Sequence, residues 1–245
     1  MLIRDIRAMY RQSVLGYAWI LFPPLASSII WIYLNNQKII NINTGSVPYP
    51  IFVLSGNLLW AVFNGTLSGM LSSLLDARSM LSKINIPHES LLISSFGKAA
   101  VNSLVPLLLL IPILPFYLKS FSAQMLLFPL GVLLIMLMGS MFAILLIPIA
   151  TLYTDTARGI QLVLRFAFFL TPVVYPPPQA GIAKFICDLN PLSPLLITTR
   201  SWLIGDGPTY VSIMMIATVA IVLLLAVAIV IYKISIPYLI ERLSA

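Results

Sequence analysis

Long apolar runs separated by short polar connectors dominate the chain, and none of them alternates as a half-buried strand would. Continuous runs also argue against a transmembrane β-barrel, whose strands alternate over roughly ten residues. A hydrocarbon core about 30 Å thick takes about 20 helical residues to cross. On that ruler the chain parses into six spans, at 13–34, 49–75, 91–117, 121–153, 160–175 and 210–232. The pattern predicts an all-α polytopic membrane protein, a single transmembrane domain over 1–245 with no composition break for a soluble one.

The connectors carry their own patterns. In 1–12, Ile3, Ile6 and Tyr10 share one helical face and Arg4, Arg7 and Arg11 another, which suits a short interfacial helix; simple anchoring by positive charge is the alternative. The apolar stretch after it continues through Leu34. That is too long for a signal-peptide core of 7–15 residues, so the first span is expected to be uncleaved. In 76–90, Leu81 and Ile84 with Arg78 and Lys83 predict a short amphipathic helix stopped before Pro87. Such a helix either docks in a groove of a soluble partner or rests on the membrane surface. The segment 176–209 is too polar to span, with Lys184, Asp188, Asn190, Arg200 and Asp206, yet it contains the apolar stretch Leu192 to Ile204. One or two short helices dipping into the outer leaflet are expected there.

Composition supports this class. Only 9% of the 245 residues are charged, 60% are hydrophobic, and mean hydropathy is +1.03. Soluble domains carry roughly 25% charged residues, so the apolar excess must face lipid. Lys and Arg of short loops stay on the cytoplasmic side. With both termini inside, Arg4, Arg7, Arg11, Arg78, Lys83, Arg158, Lys233 and Arg242 are inner, and Lys38, Lys119, Lys184 and Arg200 are outer. The net charge of +7 is mainly a topology signal, and no basic patch interleaved with aromatics points to nucleic acid.

Candidate chemistry is sparse. Cys187 is the single cysteine, so no intrachain disulfide or Cys-based metal site is available, and it reads as a packing residue. His88 has only Glu89 beside it and reads as interfacial, so no metal is expected. No nucleophile and base pair, HExxH or phosphate-binding loop is present, and all seven carboxylates lie near span ends or in loops. A proton- or sodium-coupled carrier would place an ionisable group near the midplane. Any uphill transport therefore draws its energy from a partner. Gly65 and Gly69 form a GxxxG that serves either intrachain packing or dimerisation. The aromatics Trp19, Trp60, Phe63, Phe166, Phe169, Tyr175 and Trp202 are either belt residues or faces that stack on sugar rings along a path. Arg165, inside the fifth span, either snorkels to the inner interface or faces an anionic substrate.

Four segments, in this order on a six-span plan, resemble the membrane subunit of ABC-2-type exporters of polysaccharides and polyol phosphates. They are Tyr10 to Trp19, Leu81 to Glu89, Phe169 to Pro176, and Asn190 to Ser193. Departures include Phe22 before Pro23 where the family has Gln, His88 where it has Arg, and Arg165 where it has Gln. The resemblance implies a transport subunit rather than an enzyme, in the bacterial or archaeal cell membrane with both termini cytoplasmic. It implies a second copy of the chain and two copies of an ATP-binding cassette subunit that holds ATP and magnesium, so that this chain carries no cofactor itself. The cargo implied is a lipid-linked glycan such as O-antigen, capsule or teichoic acid. By the same resemblance Arg78, Leu81, Lys83, Ile84, Ile86 and Pro87 would meet the ATPase subunit. Two other classes stay open on the residues alone: an ATP-independent carrier or channel, and a membrane scaffold that transports nothing.

Overall fold

The computed structural model describes residues 18–45, 47–81, 88–112, 122–153, 155–204 and 210–244, and among them it contains helices and no strand. The helices are α1 (Ala18–Asn36), α2 (Tyr49–Leu81), α3 (His88–Leu104), α4 (Phe128–Leu152), α5 (Thr156–Leu170), α6 (Gly181–Leu189), α7 (Leu192–Ile204) and α8 (Val211–Ser244). Short 3-10 segments at Val105–Leu109 and Ala123–Leu127 extend α3 and precede α4. The first follows from Pro106, which lacks an N–H and crowds the preceding turn.

Five stretches among the described residues are long and apolar enough to cross a membrane: 18–36, 49–76, 89–112, 123–152 and 211–235. The stretch 160–175, expected as a further span, differs. Its helix α5 has 15 residues, about 22 Å at 1.5 Å per residue, short of the about 30 Å hydrocarbon core. It ends at Leu170 because Thr171 precedes a proline, which disfavours helical backbone; Thr171 sits at φ −98°, ψ 140°. α8 continues past Tyr232 to Ser244. Arg4, Arg7 and Arg11, the start of the first expected span, and Lys83, Ile84, Ile86 and Pro87 lie outside the described residues, whereas Arg78 and Leu81 belong to the backbone of α2.

α4 is the axis of the fold, packed against α2 on one side, α8 on another, and α7 near its N-terminal end. More than half of its residues are buried, in agreement with an apolar character that runs all the way round it. α3 lies against α2 through small residues. A Cβ on Gly65 would sit 2.9 Å from Ser103 Oγ, and one on Gly69 would sit 3.5 Å from the Ala99 Cβ. The GxxxG therefore packs within the chain. Thr66 Oγ1 donates to Ser103 Oγ (3.1 Å) and Ser95 Oγ to Ser73 Oγ (3.2 Å) along the same seam. At one end of α3, Glu89 meets Lys233 of α8 at 2.8 Å.

The segment from α6 to α7 is built differently from its composition. α6 exposes Ile182, Phe185 and Leu189 on one stripe, with Cys187 buried behind it, as an interfacial helix would. Burial pushes the Cys187 thiol up from its ordinary value, so it is a poor thiolate and an inert packing group. α7, in contrast, is buried from Leu192 to Leu203, polar residues included. Asn190 starts it by accepting from the Leu192 N–H (3.0 Å).

Candidate functional site

α2 offers Asn57, Trp60, Ala61 and Asn64 at one turn of spacing, and α5 offers Gln161, Leu164, Arg165, Phe168 and Phe169. Each set follows i, i+3, i+4, i+7, so each helix commits one face. With Pro23, Pro24 and Ser27 of α1 they line an open groove of about 470 Å³. Pro23 and Pro24 interrupt the backbone ladder of α1. Ser28 Oγ donates to the Pro24 carbonyl (2.7 Å) and accepts from Asn57 Nδ2 (2.8 Å), which ties α1 to α2 at the groove floor. Higher on the same faces, Gln161 Nε2 donates to Ser68 Oγ (2.9 Å) and Ser68 Oγ donates to Asn64 Oδ1 (3.1 Å).

Aromatic rings run across the groove as a chain. Trp31 lies 6.5 Å from Phe169, Phe169 5.3 Å from Phe168, Phe168 5.6 Å from Trp60, and Trp60 5.5 Å from Phe63. Phe63 continues to Phe142 of α4 at 6.3 Å. Edge-to-face and tilted pairs of this kind hold each other's orientation. Behind Leu164 a second cavity of about 460 Å³ is almost wholly apolar, lined by Phe63, Leu67, Met138, Phe142, Ile160 and Val163 among others.

Of the residues expected from sequence to line a path, Trp60, Arg165 and Phe169 meet in the groove, and Phe63 lines the apolar cavity. Trp19 is exposed beside Phe22 at the start of α1, and Phe166 is exposed on another face of α5. Tyr175 donates its hydroxyl to the Phe169 carbonyl (2.8 Å), and Trp202 is buried in α7. Asn57, Asn64, Gln161 and Phe168 belong to the groove and were not anticipated. Their signal was available, since Asn57 and Asn64 are amides seven apart in an apolar span, and Gln161 lies one turn before Arg165.

The C-terminal end of α5 is clamped. Thr171 to Val174 are buried, and Asn190 Nδ2 donates to Thr171 Oγ1 (2.8 Å). Arg200, placed by the sequence in the outer segment, is 3% exposed inside α7. It donates through Nη1 to the Val173 carbonyl (3.1 Å) and through Nη2 to that of Pro172, with its guanidinium 3.8 Å from the Phe52 ring centroid. Its two donated bonds satisfy carbonyls that lie beyond the end of α5 and outside any backbone ladder. Gly56 admits this segment. A Cβ there would run into the Val173 carbonyl oxygen and come within 3.3 Å of Arg200 Nη1. Gly56→Ala is expected to destabilise by about 1–3 kcal/mol through overpacking. Gly159→Ala in α5, where a Cβ meets nothing within 4 Å, is expected to be neutral or slightly stabilising. Melting of both purified variants in detergent checks the contrast.

Comparison with known proteins adds a relationship. Residues 1–204 match the family model described as ABC-2 type transporter. The chain is 26% identical over 231 residues to the O-antigen export system permease protein RfbA of Myxococcus xanthus, covering 91% of this chain and 86% of that one. To two proteins of the same description from Klebsiella pneumoniae it is 21% identical over 213 residues (84% of this chain, 80% of the other) and 22% over 204 residues (80% and 76%).

Proposed function

We propose, from the premise that this chain belongs to the ABC-2 type transporter family, that it is the transmembrane subunit of an ATP-driven exporter of a lipid-linked polysaccharide or polyol-phosphate polymer. The observation that carries the reading is the groove. Two helix faces of amide and aromatic side chains converge on a space left open on one side, and its volume is that of a site for a small ligand or a few sugar units. Aromatic faces accept the C–H surfaces of successive sugars without a fixed hydrogen-bond pattern, which suits a polymer that must slide. A second copy of the chain would close the open side and complete a path.

The relatives named for O-antigen export support a glycan cargo. Two ATP-binding cassette subunits would supply the energy, binding ATP and magnesium, and would meet the membrane subunit at 76–90 through Arg78, Leu81, Lys83, Ile84, Ile86 and Pro87. Both termini and that segment would then face the cytoplasm, and 176–209 the outer side.

Affinity purification of the tagged chain in mild detergent, with intact-complex mass and an ATPase assay, tests this. A complex of two membrane subunits and two ATPase subunits that hydrolyses ATP is expected. A lone oligomer without a copurifying ATPase would overturn the reading in favour of an ATP-independent carrier or channel.

A further inference from the structure

Among the twelve residues lining the groove, Arg165 is the one ionisable group, and no carboxylate accompanies it. Resting on the exporter reading, we infer that Arg165 is the contact for a phosphate group carried by the cargo, and that it sets a preference for phosphate-bearing molecules at this groove.

Arg165 stands nine residues beyond Thr156, the first residue of α5, about 14 Å along the axis at 1.5 Å per residue, and a charge set that far along an apolar helix calls for a partner. The described carboxylates do not supply one. Asp155, nearest in sequence on the same helix, faces Arg158 at 3.9 Å, and Glu89 is held by Lys233. The exposed Arg165 guanidinium lines the groove beside Trp60, Phe168 and Phe169, within reach of a ligand that enters there. Its planar fork matches two oxygens of one phosphate.

Asn64 Oδ1 is occupied by the Ser68 hydroxyl, which leaves the Asn64 Nδ2 protons for a ligand.

Phosphate could come from the cargo or from a bilayer headgroup, and the lipid composition of the test separates the two. Arg165 shares the groove face of α5 with Gln161, Phe168 and Phe169.

The test uses the full complex of this chain with its ATPase subunits in nanodiscs, and measures binding of a fluorescent short-chain prenyl diphosphate. The matching prenyl alcohol serves as the uncharged control. Wild-type protein is expected to prefer the diphosphate. Arg165→Gln should raise the half-saturating concentration about tenfold or more, a loss on the scale of one charge-assisted contact, with Arg165→Lys recovering part of it. Arg158→Gln removes the same charge from the same helix outside the groove and should change nothing.

Equal affinity of wild-type and Arg165→Gln protein for the diphosphate overturns the inference. So does a shift seen only in discs containing phosphatidylglycerol, which would assign the contact to bilayer headgroups. The exporter reading fails separately, by absence of a copurifying ATPase. In that event the same binding measurement on the chain alone still decides the role of Arg165.

Discussion

Arg200→Met is expected to lower the melting temperature of the purified protein and abolish export, and Arg200→Lys is expected to be at least as damaging. The opposing terms can be compared. Removing the cation relieves at most the about 2.5–3.5 kcal/mol that a charge costs in the membrane. Against this stand two buried carbonyls, of Pro172 and Val173, that lose their donor, at about 1–3 kcal/mol each. Contact with the Phe52 ring adds about 2 kcal/mol when desolvated. The losses exceed the relief, so methionine destabilises. Lysine keeps the charge but has no planar fork for two carbonyls and an aromatic face together, so it retains the penalty and forfeits most of the return. Thermal melting in detergent beside a cell-based export assay checks the order. A lysine variant indistinguishable from wild type would refute the role given to the guanidinium.

Substituting Leu81 and Ile84 together with aspartate is expected to abolish export and lower the copurifying ATPase by at least a hundredfold in affinity, while the protein still reaches the membrane. Each apolar anchor in a partner groove is worth about 1.5–3 kcal/mol. Losing two removes about 3–6 kcal/mol, or two to four decades in affinity, before counting the desolvation of two new carboxylates. Insertion should survive because the apolar window of α2 ends at Asp76, short of both positions. Quantitative pull-down of the ATPase subunit and membrane fractionation give the two readouts. Full activity of the double variant would remove this segment from the docking surface.

Much of the membrane architecture was legible because it rests on local rules. Apolar run length marked five crossing stretches, and small residues at Gly65 and Gly69 announced the close approach of α3. The end of α5 was legible too, since Thr171 precedes Pro172, but counting apolar residues through to Tyr175 passed over it. Arg200 illustrates what pattern does not carry. A helix buried on every side has no polar face to read, and its polar residues in sequence look like a surface. Its partners Phe52, Gly56, Pro172 and Val173 are distant in the chain, so only the folded molecule brings them together. The aromatics posed the same problem in milder form. Phe166 and Phe169 are three residues apart on α5 and equally apolar, yet only Phe169 meets the groove. The polar groove partners at Asn57, Asn64 and Gln161 were the better guide.

The contact between Gly56 and the Val173 carbonyl also orders the birth of the molecule. α2 leaves the ribosome and enters the bilayer with its notch at Gly56 vacant, because the segment that fills it lies more than a hundred residues downstream. Even when that segment arrives, the carbonyls of Pro172 and Val173 lack donors until Arg200 is synthesised, and lipid offers none. A nascent chain stalled anywhere between α5 and α7 therefore carries unpaired carbonyls at Pro172 and Val173, and the segment beside Gly56 is not fully satisfied until α7 has been made.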